Sequence, residues 1–204
     1  MKKFLLPLLI LGVAGYAYWR YTTSRPAYAL RQAQQAIQAH DVAAFDRYVD
    51  VEAISTQLLT DLTTQRSLLG VLNPASWVVR GLSGMARPAL AAGAKRQVDT
   101  FIETGSLEKA RAEGGKFSLA GLVTKVVSDS SEFKGVTYER VLDNGTAEVG
   151  IAFTQPRYDT TLVVNLRLRD RGDHWQVTEI AQPGEILGHV GRMEKDRLLK
   201  RLGQ

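Results

Sequence analysis

The chain has 204 residues, 45% of them hydrophobic and 23% charged, with a formal net charge of +5 and no cysteine. That balance belongs to a folded globular protein, not a disordered one, and the lack of cysteine excludes disulfides, a thiolate metal site and a cysteine nucleophile. The basic residues are dispersed without interleaved aromatics, so nucleic acid is not an expected partner.

The first element is the stretch "MKKFLLPLLILGVAGYAYWRYTTSRP". Lys2 and Lys3 precede a run without charge from Phe4 to Trp19, the order of a signal n-region and h-region. As a helix the run spans about 24 Å, short of the roughly 30 Å hydrocarbon core. Tyr16, Tyr18, Trp19 and Tyr21 extend it with rings that favour the headgroup level. Gly12-Val13-Ala14 and Gly15-Tyr16-Ala17 fit a cleavage pattern, but neither leads into a polar mature start. The expectation is an uncleaved anchor through residues 4–19 in a cytoplasmic membrane. The amino terminus lies inside and the bulk of the chain in the periplasm or outside; a secreted or periplasmic form after cleavage is the alternative. The organisation read from this is 1–25 anchor or signal, 26–128 helical region, and 129–204 antiparallel sheet with a closing helix, with 26–204 as one domain.

From Pro26 the period is helical. Ser24 is placed to cap, and Pro26 suits a first turn. Leu30, Ala33 and Ile37 recur at helical spacing, with Gln32, Gln35 and Gln38 outside. His40-Asp41 ends this helix. Asp41 caps a short second one carrying Val42, Phe45 and Val49. Asp50 caps a third, striped by Val51, Ile54, Leu58 and Leu62. Such tight joints predict a helical hairpin.

The residues Ala36-Ile37, Asp41, Phe45 and Tyr48-Val49-Asp50, together with "VDTFIETGSLEKA" from Val98 to Ala110, carry a resemblance. Over Pro26 to Ala110 the chain resembles a bacterial membrane-anchored envelope family catalogued only as a domain of unknown function. The resemblance implies no established activity and no catalytic residues.

The middle is rich in Ala and Gly. Helices are expected near Pro74 to Met85 and Pro88 to Glu103. Trp77, Val78, Gly81, Gly84 and Met85 form a small-residue surface, suited to close helix packing or to a membrane interface. Arg80 and Arg87 oppose a second span. Ser106 caps a short helix to Ala112, Gly114-Gly115 breaks the chain, and Phe117 to Val127 is ambiguous between helix and strand.

From Phe133 the period becomes two. "VTYERVL", "TAEVGIAF", "TTLVVNLRLR" and "HWQVTEI" read as half-buried antiparallel strands. Asn144-Gly145 and Asp170 to Asp173 form the turns, and an amphipathic helix follows from Glu185 to Leu202, with Ile186, Val190, Met193 and Leu198 for packing. Helices before a meander give an α+β class: anchor helix, helical hairpin, helix-rich middle, four-stranded antiparallel meander and C-terminal helix. The closing "GDHWQVTEI" is similar to the last strands of the cystatin-like, nuclear-transport-factor-2-like cone. That similarity implies a helical hairpin on a curved sheet.

No catalytic, metal-binding or cofactor-binding residue is named by a motif. His40, His174 and His189 are far apart and lack metal spacing. The stretch around Lys95 lacks the glycine and hydroxyl of a phosphate loop. Arg171-Gly172-Asp173 and Asn144-Gly145-Thr146 read as turns. Arg167, Arg169 and Arg171 alternate with Asn165 on one strand face, either as a solvated face or as an anion groove. Asp46 and Asp50 share a helical face, but Asp50 reads as a cap. The expectation is a non-enzymatic envelope protein that binds a protein, lipid or small apolar partner, with no cofactor. The alternative is a cone-fold enzyme or small-molecule binder with Tyr138, Glu139 or Arg140 deep in an apolar pocket. A third reading gives Trp77 to Ala94 an assembly role at the membrane.

Overall fold

The computed structural model describes residues 15–16, 20–64, 86–113, 131–156 and 159–202. Its helices are α1 (Pro26–Gln38), α2 (Val42–Tyr48), α3 (Val51–Thr64), α4 (Ala86–Thr104), α5 (Leu107–Glu113) and α6 (Pro183–Leu202). Its strands are β1 (Phe133–Leu142), β2 (Thr146–Gln155), β3 (Thr160–Asp170) and β4 (Trp175–Ile180). The class is α+β, with the antiparallel meander and closing helix that the change of period predicts. Most of the expected anchor, 4–14 and 17–19, lies outside the described residues, as do the helix expected at Pro74 to Met85 and the stretch from Phe117 to Val127. Among the described residues no helix is long and apolar enough to cross a membrane.

The helix starts show local chemistry at work. Asp41 accepts from Ala44 N–H at 2.9 Å and Asp50 from Ala53 N–H at 2.9 Å, so both cap as expected. Ser24 does not. Its hydroxyl donates to the Tyr21 carbonyl at 3.0 Å and closes the preceding helical turn. Arg25 holds the N-cap position of α1 without a side-chain bond, and Pro26 follows at the start of the helix, where a missing N–H costs nothing. The α4 helix begins at Ala86, before Pro88, so the proline sits within the first turn. It ends at Gly105, whose φ of +64° lets its N–H reach the Phe101 carbonyl at 2.8 Å. Ser106 then caps α5 by accepting from Lys109 N–H at 3.3 Å.

The buried stripes are rotated from those expected. On α1 the buried residues are Pro26, Ala29, Ala33 and Ala36; Leu30 and Ile37 flank the alanines, Leu30 toward the sheet and Ile37 toward the other helices. Small residues at the centre let the α1 backbone come close, and the larger ones fill the sides. On α3 the deepest residues are Val51, Ser55 and Leu59, with Ile54 and Leu58 half-buried.

The sheet runs β1-β2-β3-β4, every pair antiparallel. Asn144 and Gly145 both have positive φ, +65° and +66°, as a primed turn demands. Ala147, Val149, Leu168, Trp175 and Val177 of the sheet pack on Ala29 of α1. A second cluster joins α1, α2, α3 and α4 through Ala33, Ala36, Phe45, Val51 and Ile102. Trp175 donates Nε1–H to the Ser24 carbonyl at 2.8 Å, which ties the sheet to the entry of α1. The joint between α2 and α3 lies on the outer edge of β4: Val49 bridges Val177, and Asp50 N–H reaches the Val177 carbonyl at 2.9 Å.

Candidate functional site

β3 is longer than its outer neighbour. β4 pairs with it only from Leu166 to Asp170. The chain then leaves the sheet through Ala181, whose N–H reaches the Asn165 carbonyl at 2.7 Å. Backbone groups of successive strand residues point to opposite edges, so the N–H and C=O of Thr161 and Val163 point to the same edge as the Asn165 carbonyl. Among the described residues no strand pairs with that edge over 161–163.

The α6 helix runs beside this free edge and closes a groove of about 320 Å³. On the helix side it is lined by Gln182, which precedes the helix at φ +51°, and by Glu185, Ile186, His189 and Arg192, helix positions that recur at three- and four-residue steps and so share one face. On the strand side lie Thr161, Leu162, Val163 and Asn165. Val163 is 44% exposed although it sits mid-strand. The Asn165 Oδ1 is buried without a hydrogen-bond partner among the described residues, at a cost of about 1–3 kcal/mol. The groove therefore offers an exposed valine between Thr161 and Asn165, an unpaired peptide edge, and a helix face with a carboxylate at Glu185, an imidazole at His189 and a guanidinium at Arg192.

Of the candidate site residues read from sequence, only His189 and Asn165 lie there, Asn165 without the arginines it was grouped with. Tyr138, Glu139 and Arg140 split between two faces. Glu139 faces the helices and pairs with Arg25 at 3.4 Å. Tyr138 donates to Glu148 on the other face, and burial, then that bond, push its hydroxyl up to about 12. Arg140 stands opposite Glu148, Glu148 opposite Arg167, and Arg167 opposite Glu179. Arg167 Nη1 donates to both carboxylate oxygens of Glu179, each at 3.0 Å. This row alternates in sign across the sheet, so Arg167 is neutralised from both sides, while Arg169 stands opposite Thr146 and Gln176. Arg171 is held by Gln176 at 2.8 Å and lies 3.8 Å from Asp50. The apolar interface between the sheet and α1 is filled by Trp175, Leu168 and Val149, and Tyr138, Glu139 and Arg140 do not converge on one point of it.

The other histidines tie elements together. His40, at φ +56°, places Nδ1 2.5 Å from the Ile102 carbonyl, which makes that nitrogen the donor. His174 sits 2.6 Å from Asp173 and edge-on to Tyr48. The His174 bond, with Arg47 at 2.6 Å adding to it, holds the Asp173 carboxyl below its usual range. Lys95 bridges Asp46 at 2.7 Å and Asp99 at 3.0 Å; burial disfavours its charge, but the two carboxylates outweigh this and raise its pKa. Asp46 thus serves the tie between α2 and α4. Among the described residues no cluster of His, Asp and Glu could hold a metal ion.

Gln182, Glu185, Ile186 and Arg192 were not legible as a site, and Asn165 was legible only beside the arginines of its own strand. Their only signal in sequence was the common helical face and a lone amide in an apolar strand.

Residues 13–110 match the family described as "Protein of unknown function (DUF2939)". The match contains the segment from Pro26 to Ala110 where the resemblance was read, and it stops short of β3 and α6. No curated protein matches the chain, and no solved structure does.

Proposed function

We propose that the chain is a membrane-tethered, non-enzymatic binding domain of the bacterial envelope, and that it takes its partner in the groove between β3 and α6. The observation that carries this is the free edge of β3 facing a helix across an open groove. Unpaired strand edges are templates for another chain and are normally covered or charged; this one is walled and apolar at Val163. The tether is supported by the charge-free run Phe4 to Trp19 behind two lysines, an arrangement that leaves the domain outside the cytoplasm.

Two measurements test the reading separately. Native mass spectrometry of the full-length protein, taken from membranes in mild detergent, should retain Met1 or Lys2. A mass beginning near Gly15 or Tyr18 removes the tether. Amide hydrogen exchange should show Thr161 and Val163 exchanging much faster than Leu162 and Val164, whose N–H groups point into the ladder with β2. Equal protection would mean that the edge is already paired, and the groove would lose its role.

A further inference from the structure

We infer that the groove binds an extended peptide of about four residues ending in a free carboxylate, added as a strand to the edge of β3 at Thr161 to Asn165. The inference rests on the reading of the domain as a binding module and names the chemistry of its occupant.

Three observations converge on this occupant. The first is the backbone. Thr161 and Val163 offer two donors and two acceptors in alternation along one edge, and an extended peptide is the ligand that answers such a row with main-chain bonds. The second is length. Thr161 to Asn165 extends about 13 Å at strand rise, and Gln182 to Arg192 about 15 Å at helical rise. The two walls are thus of similar length and hold about four extended residues. One side chain of the peptide would lie on Val163 and Ile186.

The third is charge. Arg192 and His189 lie far from the α6 N-terminus, and Glu185 lies near it. Ala181 is bonded to Asn165, so the start of α6 is beside Asn165 and its basic residues lie toward Thr161. An anion is therefore favoured at the Thr161 end and disfavoured at the Asn165 end. A peptide with its carboxylate at Arg192 runs antiparallel to β3, the direction β4 itself takes along the same edge. At the Asn165 end, the unpartnered Oδ1 is an acceptor awaiting an N–H.

The test uses the full-length protein in mild detergent and a pool of acetylated apolar tetrapeptides with free carboxylates. The same pool amidated and octanoate serve as comparisons, with binding followed by calorimetry and by the amide shifts of Thr161 and Val163. The free-acid pool should bind, amidation should weaken binding at least tenfold, and Arg192→Gln should weaken it about tenfold. Val163→Pro removes an N–H that the ladder with β2 does not use, a placement that edge strands tolerate. It should abolish binding with the protein still folded, and Arg192→Gln on the exposed helix face tests the same groove without touching the strand.

Equal binding of acid and amide overturns the carboxylate. Binding of octanoate but of neither peptide pool overturns the peptide while leaving the groove as a binding site. Failure of all three ligands, with Thr161 and Val163 unshifted, removes both the inference and the reading beneath it.

Discussion

Gly150→Ala should destabilise the protein, although the backbone at that position is not one that demands glycine. Gly150 is absent from the positive-φ residues, and alanine in a strand interior is ordinarily better than glycine by about 0.5–1 kcal/mol. The obstacle is Tyr138. It pairs directly with Gly150, and its ring lies across the glycine to reach Glu148. A methyl at residue 150 would fall 2.6 Å from Tyr138 Cδ1 and 2.6 Å from Thr137 Oγ1. The Thr137 hydroxyl can rotate away; the ring must swing off the strand and release Glu148. Overpacking of this kind costs about 1–3 kcal/mol. For a chain of this length 2 kcal/mol lowers Tm by about 4–8 °C. The assay is a double-mutant cycle in thermal or urea unfolding, with Tyr138→Ala as the second change. In the Tyr138→Ala background Gly150→Ala should become neutral or mildly stabilising, which gives a coupling of at least 1 kcal/mol. Equal losses in both backgrounds would show that the ring is not what keeps residue 150 a glycine.

The same tyrosine gives a pH prediction. Its hydroxyl, raised from 10.0 to about 12 by burial and Glu148, favours the protonated form in the folded state, so its contribution is fully present below pH 10 and is lost as pH rises toward 12. Phenolate absorbance should show one tyrosine titrating late, and Tyr138→Phe should remove it; a normal titration for Tyr138 refutes the cause. Lys95→Met should cost about 1 kcal/mol, because Asp46 and Asp99 then face each other unneutralised, and the loss should shrink in 1 M salt. A loss insensitive to salt would point to packing instead. Trp175→Phe, which removes the bond to the Ser24 carbonyl, should cost about 0.5–1.5 kcal/mol, and Trp175→Ala about 3–5 kcal/mol, both read from denaturant midpoints. A Trp175→Phe variant as stable as the parent would mean the indole bond to the α1 entry is not needed.

What the sequence by itself determined is what short-range physics governs. Asp41 and Asp50 cap because a carboxylate at the residue before a helix finds the free N–H groups three positions on. Asn144-Gly145 turns because both residues tolerate positive φ, and the alternation from Leu162 to Leu168 marks the buried strand face, whereas on β2 it holds only for Ala147 and Val149, with Gly150 and Ala152 buried beyond them and Ile151 and Phe153 half-buried. Each of these depends on neighbours within a few positions.

Tertiary structure decided the rest. Ala29, Ala33 and Ala36 are buried on α1 because the sheet and the helical pair approach from two sides, which no single stripe reveals. Gly150 is a glycine because of a ring twelve positions earlier, delivered by a β1–β2 register that shifts between Val136 and Tyr138. Arg167 is no anion site because Glu179 arrives opposite it from another strand. The groove exists only because β4 stops pairing at Leu166 while β3 continues to Thr160, and α6 returns along the difference. Strand lengths and partners are settled between segments distant in sequence, so a free edge leaves no local mark in the residues that form it.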